Sequence, residues 1–496
     1  MSQERGAIDL SESAEIRIGK KAFITTAVII LCLIILSGVL TQLIPAGSYE
    51  RVLVDGKELV DPQSFHLVER EPLPVYRWLT APVEVLYASE NSAVVIVISL
   101  LILFIGGGFA VLNRVGVFRE LIAKIVGRFG KSRYLLICLV SLLFMVFGST
   151  LGMFEEVVAL APLVVILAYN MGWDALLGLG MSLLSICFGF AVAISNPYSI
   201  GLSQRMAGLP VFSGAAFRLL IFALLYGLLC LFLVRHARKI EQDPRRSLIF
   251  AEDRERQQQF YHAARSAPEA PSAGGRGINR AVTWFLCCFG GILGVIAAAN
   301  LLPQFADLSL PAIALLYLIA GVGAGFRGGL SGREVVRTFL KGVGGVAPGI
   351  VLILMAMSVS FIIERGGVMD TVVHHAAGLI TGVSSYLAAY LIYGLVLAVN
   401  FFIGSASAKA ALLIPILTPL ADLSGLTRQT MVLAFCFGDG FSNVFYPTNP
   451  VLLLCLGLTT VSYTKWFRWI GLLQLIVLLI TALALTAAVW LGYGPF

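Results

Sequence analysis

The chain has 496 residues, of which 58% are hydrophobic and 13% are charged, and its formal net charge is +7. A mean hydropathy of +0.90 excludes an ordinary soluble domain and predicts an all-α polytopic protein of a lipid bilayer. The positive charge does not indicate a nucleic-acid partner, because the basic residues concentrate in short loops, where they orient membrane helices.

Eight cysteines all lie in apolar segments, which favours small core residues over disulfides or metal ligands. We therefore expect no metal site. They are Cys32, Cys138, Cys187, Cys230, Cys287, Cys288, Cys436 and Cys455.

The first predicted helix, over residues 22–44, follows a polar cytoplasmic arm over residues 1–21. Its apolar run is longer than that of a signal peptide, so a retained helix is preferred to a cleaved signal. The loop over 45–90 has eight acidic and four basic residues, which suits the outer face. A helix over 91–112 leads into 113–133, whose six basic residues place it inside, where helically spaced apolar residues predict an amphipathic arm.

A re-entrant hairpin is predicted over about residues 134–170. Its two apolar arms are too short to cross a bilayer, and they flank the polar tip Gly148–Glu156. The next helix, over 175–202, is broken near Asn196-Pro197, because proline lacks a donor and disfavours helix at the residue before it. A helix over 213–234 then completes membrane repeat 1, which spans residues 22–234.

Residues 235–280 are polar and predict a cytoplasmic linker between two halves. Membrane repeat 2 covers 281–496. Its helices are predicted over 281–302, 309–326, 344–363 and 465–490, with a second hairpin at about 386–420 and a broken helix at about 428–458. If the hairpins do not span, nine crossings place the N-terminus in the cytoplasm and the C-terminus in the periplasm. An outer amphipathic segment carries His374 and His375, which read as interfacial rather than catalytic.

The two halves are related by an offset of 253 residues. It places Pro415 on Pro162, Gly425 on Gly172 and Asn449-Pro450 on Asn196-Pro197. The repeated order of hairpin and broken helix predicts two pseudo-symmetric repeats. Because the basic cluster of the first repeat is reduced to one residue in the second, the repeats are expected to be inverted. Broken helices expose backbone groups that are tolerated only around a water-filled site, as in secondary transporters.

Ionisable residues in membrane segments predict the substrate site. Glu155 and Glu156 at the first tip would attract a substrate cation or a coupling ion, and Lys409 at the second tip a carboxylate. The alternative is an internal Glu156–Lys409 ion pair that pins the hairpins together. The other expected substrate-binding residues are Ser405, Ser407, Asn196, Asn449 and Thr448.

Coupling to Na⁺ or H⁺ is expected at hydroxyl, amide and carboxylate groups beside the breaks. Asp439 could carry the ion or cap a helical break, and Asn443 could line the cavity or join helices. The hydroxyls could also serve only to satisfy backbone groups. The remaining predicted ion-coupling residues are Ser149, Thr150 and Ser195.

Four runs resemble the YfcC/DcuC family, the C4-dicarboxylate anaerobic carrier-like proteins of bacterial inner membranes. They are GMFEE from Gly152, SNPYSIGLSQRMAGLP from Ser195, SASAKAALLIPILTPLADL from Ser405 and RQTMVLAFCFGDGFSNVFYPT from Arg428. The resemblance runs nearly end to end and is closer to the YfcC branch, described as basic amino acid antiporters, than to true dicarboxylate carriers.

The resemblance implies the fold of the ion transporter superfamily: inverted repeats, scaffold and transport domains, a homodimer and elevator-type movement. Sodium-coupled dicarboxylate relatives carry Ser-Asn-Thr at both tips, whereas these tips read Gly148-Ser149-Thr150 and Ser405-Ala406-Ser407. Paired glutamates also suit a cationic substrate better than a dianion, since like charges at a dry site are costly.

The sequence therefore predicts a secondary transporter of an amino acid, a basic one in first place and by exchange, or of a related small organic ion. A C4-dicarboxylate carrier coupled to Na⁺ or H⁺ is the main alternative. Glu155-Glu156 also resembles the glutamate pair of intramembrane CAAX-type proteases, but the arginine expected after that pair is missing. No phosphate-binding loop is found, and we expect no enzyme.

Overall fold

A computed structural model describes residues 20–494 except 55–56, 71–72, 90–91, 119, 122–131, 255–275, 302–307 and 460. It confirms an almost wholly helical protein. Ten helices among these residues are long and apolar enough to cross a membrane. Two of the ten, Arg133–Leu151 and Ala406–Leu423, are arms of the predicted hairpins. The predicted arm over residues 1–21 lies almost entirely outside the described residues.

The described helices outside the hairpins and broken helices begin and end close to the predicted positions, with two exceptions given below. They span Lys20–Leu43, Ser92–Val115, Ala215–Gln242, Arg276–Leu301, Ser309–Arg327, Gly332–Gly366, Val368–Gly378 and Tyr463–Trp490. All of them except the short helix Val368–Gly378 contain a long run of apolar residues with few charges, which is the composition that a bilayer requires.

Hairpin 1 consists of the helix Arg133–Val146, a π-helical turn over Phe147–Leu151, a tip and the helix Val157–Asn170. Hairpin 2 consists of Ser385–Asn400, a tip and Ala406–Leu423. The first tip lies within the predicted range Gly148–Glu156. At the second tip, Ser407 and Lys409 already belong to the first turn of the helix Ala406–Leu423, which Ser405 caps.

Broken helix 1 comprises Ala175–Leu179, a π-helical turn over Gly180–Leu184, Ser185–Val192, a π-helical turn over Pro197–Gly201, and Leu202–Met206. Its break falls at residues 193–196, where Ala193 has a left-handed φ of 49°. Broken helix 2 comprises Arg428–Gly440, a 3₁₀ turn over Phe441–Val444 and Pro450–Gly457. Both second halves start at the proline after an asparagine, as predicted.

The helix after broken helix 1 continues to Gln242 instead of ending at Val234. Its added turns are held by the buried residues His236, Ala237 and Ile240. The beginning of the predicted linker is therefore packed structure, and its centre, 255–275, lies outside the described residues. Low hydropathy did not reveal this, because a few buried side chains are enough to dock a helix end.

The helix predicted over 344–363 begins twelve residues earlier, at Gly332. A capping box starts it: the Ser331 hydroxyl accepts from the Glu334 amide, and the Glu334 carboxylate accepts from the Ser331 amide. The loop over residues 45–90, predicted to lie on the outer face, is also more ordered than predicted. It contains short antiparallel strand pairs, Gly47–Ser48 with His66–Leu67 and Arg51–Val54 with Lys57–Val60, and the helix Val75–Glu84.

The helices pack in two groups. The five-helix group joins Ser92–Val115 to Ser309–Arg327 and Gly332–Gly366, with Lys20–Leu43 and Arg276–Leu301 on its edges. The hairpin group joins both hairpins and both broken helices to Ala215–Gln242 and Tyr463–Trp490. Within it, the second arm of each hairpin packs against the second half of the opposite broken helix. This crossing brings both tips and both breaks to one region.

Candidate substrate and ion site

A buried ion pair joins hairpin 2 to broken helix 2. Lys409 Nζ lies 2.6 Å from Asp439 Oδ1, and the two side chains are 0% and 1% exposed. The Asp439 Oδ2 atom has no hydrogen-bond partner among the described residues. The predicted alternative, a Glu156–Lys409 pair, is wrong: the offset aligned these residues between repeats, but Lys409 pairs within its own repeat.

Asn400, at the end of the first arm of hairpin 2, links this ion pair to the break. Its Oδ1 accepts a hydrogen bond from the Lys409 ammonium. Its Nδ2 lies within hydrogen-bond distance of the Asp439 carbonyl at 3.0 Å, Ser442 Oγ at 2.6 Å and Asn443 Oδ1 at 3.0 Å. Asn443 Oδ1 also accepts from Asn449 Nδ2 at 3.1 Å. The break of helix 2 is thus tied to the hairpin by one continuous polar network.

Hairpin 1 meets broken helix 1 mainly through its backbone. The Ser195 amide donates to the Ser149 carbonyl at 2.9 Å. Gly152 has a left-handed φ of 68°, and a Cβ at this position would overlap with the Asn196 side chain. The tip can therefore reach the break only because residue 152 is a glycine.

The two glutamates at the first tip differ in exposure. Glu155 is exposed, whereas Glu156 is half-buried and accepts from the Phe154 amide at 3.1 Å. Neither has a cationic partner among the described residues. Both glutamates and Asp439 belong to the hairpin group, where the two tips and the two breaks meet. Three carboxylates and one ammonium therefore share this region.

The two breaks restart their helices in the same way. Asn196 Oδ1 accepts from the Tyr198 and Ser199 amides at 2.9 and 3.3 Å. Asn449 Oδ1 accepts from the Val451 and Leu452 amides at 3.0 and 3.2 Å. Each asparagine is an N-cap with a proline at the first helical position, a residue order that suits helix starts. Asn196 Nδ2 has no partner among the described residues, and Thr448 is buried beside Asn449.

The tip hydroxyls bond mainly to their own hairpins. Ser149 and Thr150 both donate to the Val146 carbonyl, at 3.2 and 2.7 Å. Ser405 caps the second arm of hairpin 2 by accepting from Ala408 at 3.4 Å, and it lies 3.2 Å from the Ser407 hydroxyl. Ser405 and Ser407 are exposed and remain accessible to a ligand.

Arg218 was not predicted as a site residue, although a charge in a predicted membrane helix was a signal for one. It is fully buried. Its guanidinium donates to the Ile194 carbonyl at the first break (3.0 Å), to the carbonyls of Ser213 and Phe212 (2.7 and 3.3 Å) and to the Tyr493 hydroxyl (3.1 Å). No carboxylate pairs with it among the described residues. His374, in contrast, stacks on Phe65 of the outer loop, away from this site.

No cluster of three or more His, Cys, Asp or Glu side chains suited to a metal ion occurs among the described residues. The charged groups and hydrogen-bonding groups that the region does contain can bind a small molecule reversibly. The carboxylates at the first tip can accept hydrogen bonds from a cationic group. Hydroxyls and a helix N-terminus at the second tip suit an anion.

Comparison with known proteins places the chain among membrane carriers. The family model described as "C4-dicarboxylate anaerobic carrier" matches residues 23–490. A protein of Escherichia coli (strain K12), named "Putative basic amino acid antiporter YfcC", is 27% identical over 496 residues, covering 94% of this chain and 96% of that protein. A Haemophilus influenzae protein is 25% identical over 386 residues, covering 77% of this chain and 73% of its own length.

Two solved structures are also similar. The Alcanivorax borkumensis YdaH transporter aligns with 18% identity and a TM-score of 0.39, over 95% of this chain and 99% of that chain. Neisseria gonorrhoeae MtrF, described among antimetabolite efflux pumps, aligns with 17% identity and a TM-score of 0.39, over 94% and 95% of the two chains. Both scores are too low to establish a shared fold.

Proposed function

The chain belongs to the C4-dicarboxylate anaerobic carrier family and is a multi-pass secondary transporter of the bacterial inner membrane; from this premise we propose that its substrate is an amino acid, a basic one in first place, moved by exchange. The similar E. coli protein is named as a basic amino acid antiporter. That name motivates the substrate class, and the charges at the two tips supply the physical reason for it.

The observation that supports a cationic substrate is the set of carboxylates without a counter-ion. Glu155 and Glu156 have no cationic partner among the described residues, and Lys409 is already bound to Asp439. An unpaired carboxylate at a membrane site is costly, and a substrate ammonium or guanidinium would compensate it. Exposed Glu155 is suited to meet the substrate first, with half-buried Glu156 behind it.

The substrate carboxylate would be held at the second tip. Ser405 and Ser407 expose their hydroxyls at the start of the helix Ala406–Leu423. The N-terminus of a helix carries partial positive charge and favours an anion. Lys409, neutralised by Asp439, would contribute its hydrogen bonds there rather than a free charge. Asn196, Asn449 and Thr448 would line the remainder of the substrate site.

The movement we propose is of the elevator type. The hairpin group would act as the transport domain and slide against the five-helix group, which would act as the scaffold in a homodimer. The N-terminus would lie in the cytoplasm and the C-terminus in the periplasm. The packing of both tips and both breaks in one group of helices supports this proposal, because a site contained in one rigid group can move with it.

A C4-dicarboxylate substrate is the second candidate, and the family description favours it. It would require cations to meet two carboxylates. Among the described residues, Lys409 is engaged by Asp439 and Arg218 is enclosed by carbonyls. A dianion would also meet Glu155 and Glu156, which repel it. The local charges therefore favour the amino acid.

The test uses purified protein in proteoliposomes with radiolabelled arginine, ornithine or succinate outside. Vesicles either contain the same unlabelled compound or are empty. We expect arginine and ornithine uptake into preloaded vesicles, reduced at least about tenfold by Glu156→Gln, because roughly 1.4 kcal/mol of lost cation binding changes affinity tenfold. Glu155→Gln should also reduce the uptake of arginine and ornithine.

The matched control is Glu69→Gln, which removes an exposed carboxylate from the outer loop and should leave uptake unchanged. Succinate uptake that survives Glu156→Gln would replace the amino acid by the dicarboxylate. Uptake of arginine into empty vesicles at the same rate as into preloaded ones would overturn exchange while keeping the substrate.

A further inference from the structure

A protein cation, Lys409, lies at the break of the second broken helix. The Lys409 ammonium is completely buried and contacts two oxygen atoms, Asp439 Oδ1 and Asn400 Oδ1. Carboxylate and amide oxygens are the hard ligands that a small metal cation such as Na⁺ also prefers. The ammonium therefore stands among ligands of the type that a coupling Na⁺ would use.

Several other oxygens of this break are also engaged by protein donors, whereas Asp439 Oδ2 has no hydrogen-bond partner among the described residues. Asn400 Nδ2 contacts the Asp439 carbonyl, Ser442 Oγ and Asn443 Oδ1. Asn449 Nδ2 donates to Asn443 Oδ1, and the Ser442 hydroxyl donates to the Gly438 carbonyl at 3.0 Å. A Na⁺ ion would have to displace these donors as well as the ammonium.

At the first break a different protein cation, Arg218, contacts the backbone. Arg218 donates to the Ile194 carbonyl, which the break frees from helical hydrogen bonding. The 253-residue offset places Gly471 opposite Arg218 and Glu156 opposite Lys409. The two protein cations are therefore not products of the repeat: each half supplies its own.

From these contacts we infer that Lys409 is the resident cation of the second break and takes the place that Na⁺ would otherwise occupy, so that transport is independent of Na⁺. The inference rests on the proposed function in one respect, since it assumes that the break is part of the transport site. It specifies which coupling ion that site excludes.

Removal of the ammonium should convert the break into a cation site. The other ionisable neighbours of Asp439 are Glu155, Cys187 and Cys436, so a proton or a metal cation would have to compensate the charge of the buried carboxylate. Among the residues that the structure describes, no cation would then remain in direct contact with the Asp439 carboxylate. Because protonation of a carboxyl group becomes less favourable as the pH rises, Na⁺ binding would be the more accessible way to compensate this charge in alkaline solution.

The experiment measures thermal unfolding of the purified full-length protein in NaCl, KCl and choline chloride at equal ionic strength, across about pH 7 to 9. We expect no Na⁺-specific shift for the wild type. Lys409→Ala should gain a rise of about 2–4 °C in Na⁺ alone, as a ligand bound only to the folded state produces. Lys409→Arg keeps a cation, and Lys409→Ala with Asp439→Asn removes the anion, so neither should respond.

A Na⁺-specific stabilisation of the wild type would overturn the inference, as would the absence of any Na⁺ effect on a folded Lys409→Ala protein. If Lys409→Ala does not fold, the wild-type unfolding midpoints in NaCl and KCl still test the inference, because a higher midpoint in NaCl would overturn it. Because the readout is binding, a failure of amino acid uptake would refute the proposed substrate and leave this result standing.

Discussion

Cys187 Sγ donates a hydrogen bond to the Gly440 carbonyl over 3.0 Å, and these two residues are 253 positions apart. The next pair at the same offset, Phe188 and Phe441, packs edge to face with ring centroids 5.5 Å apart. In a two-fold arrangement, a residue meets its own counterpart only at the axis. These contacts are the ones expected if a two-fold axis relates the two halves of the chain near the crossing of the two broken helices.

The crossing requires a residue without a side chain, and Gly440→Ala tests this. A Cβ at Gly440 would overlap with the backbone and side chain of Ala191. Overpacking of this kind costs about 1–3 kcal/mol, so we expect a lower unfolding midpoint in detergent and weaker uptake. Gly227→Ala is the control, because a Cβ there meets no atom within 4 Å. Equal stability of the two variants would refute the tight crossing.

The asparagine caps should tolerate serine better than alanine. At Asn196, Ser restores a cap acceptor for the Ser199 amide, whereas Ala removes it at a cost of about 1 kcal/mol. At Asn449, Ser should rescue less, because it cannot replace the bond from Nδ2 to Asn443 Oδ1. Thermal unfolding of the four single variants measures this difference. A full rescue by Asn449→Ser would show that the bond to Asn443 contributes nothing.

Breaking the Lys409–Asp439 pair from one side should be worse than removing both charges. Lys409→Met or Asp439→Asn alone leaves one buried charge unpaired, which costs about 3–5 kcal/mol. The double variant has no charge to compensate and should regain a large part of this stability. A double-mutant cycle from denaturation in detergent gives the coupling energy. Additive losses would mean that the two residues act independently.

Acid should weaken the outer loop through Glu84. The hydrogen bond from Arg77, at 2.5 Å between Arg77 Nη2 and Glu84 Oε2, lowers the pKa of the Glu84 carboxyl despite burial, which raises it. Because the folded pKa is below the unfolded value of about 4.3, the stabilisation is complete above that pH. It is lost as the pH falls through the folded pKa.

Glu84→Gln should therefore reduce the dependence of the unfolding midpoint on pH below about 5, while Glu69→Gln should leave it unchanged. The measurement is thermal unfolding over a pH series in which the same detergent is used throughout. An unchanged slope for Glu84→Gln would mean that the Arg77–Glu84 contact does not persist in solution.

Local signals accounted for the hairpins and broken helices. Pro197 and Pro450 stand at the start of the second half of each broken helix. Proline has no backbone N–H, so it removes a hydrogen bond inside a helix but costs none at the first helical position. The helix over Gly332–Gly366 was predicted too short, since its first turns are polar and owe their start to the Ser331–Glu334 capping box. Hydropathy alone does not register a cap.

The candidate site was only partly predictable. Glu155, Glu156, Lys409 and Asp439 stood out as charges in apolar segments, whereas Asn400 and Ser442 resemble many polar residues that join membrane helices. The sequence interval between Lys409 and Asp439 contains an arm of hairpin 2 and a turn. Their contact depends on how that arm crosses broken helix 2, and no local pattern encodes the crossing.

The amino-acid sequence by itself determined that this chain lies in a membrane, where its helices are interrupted, and which side chains are costly enough there to require a function. Those conclusions follow from hydropathy, proline chemistry and the price of burying charge. Only the tertiary structure decided which charges neutralise each other. It paired Lys409 with Asp439, left Glu155 and Glu156 without a cation among the described residues, and enclosed Arg218 among carbonyls. The physical reason is that ion pairing acts over a few ångströms, so it is set by the packing of distant segments.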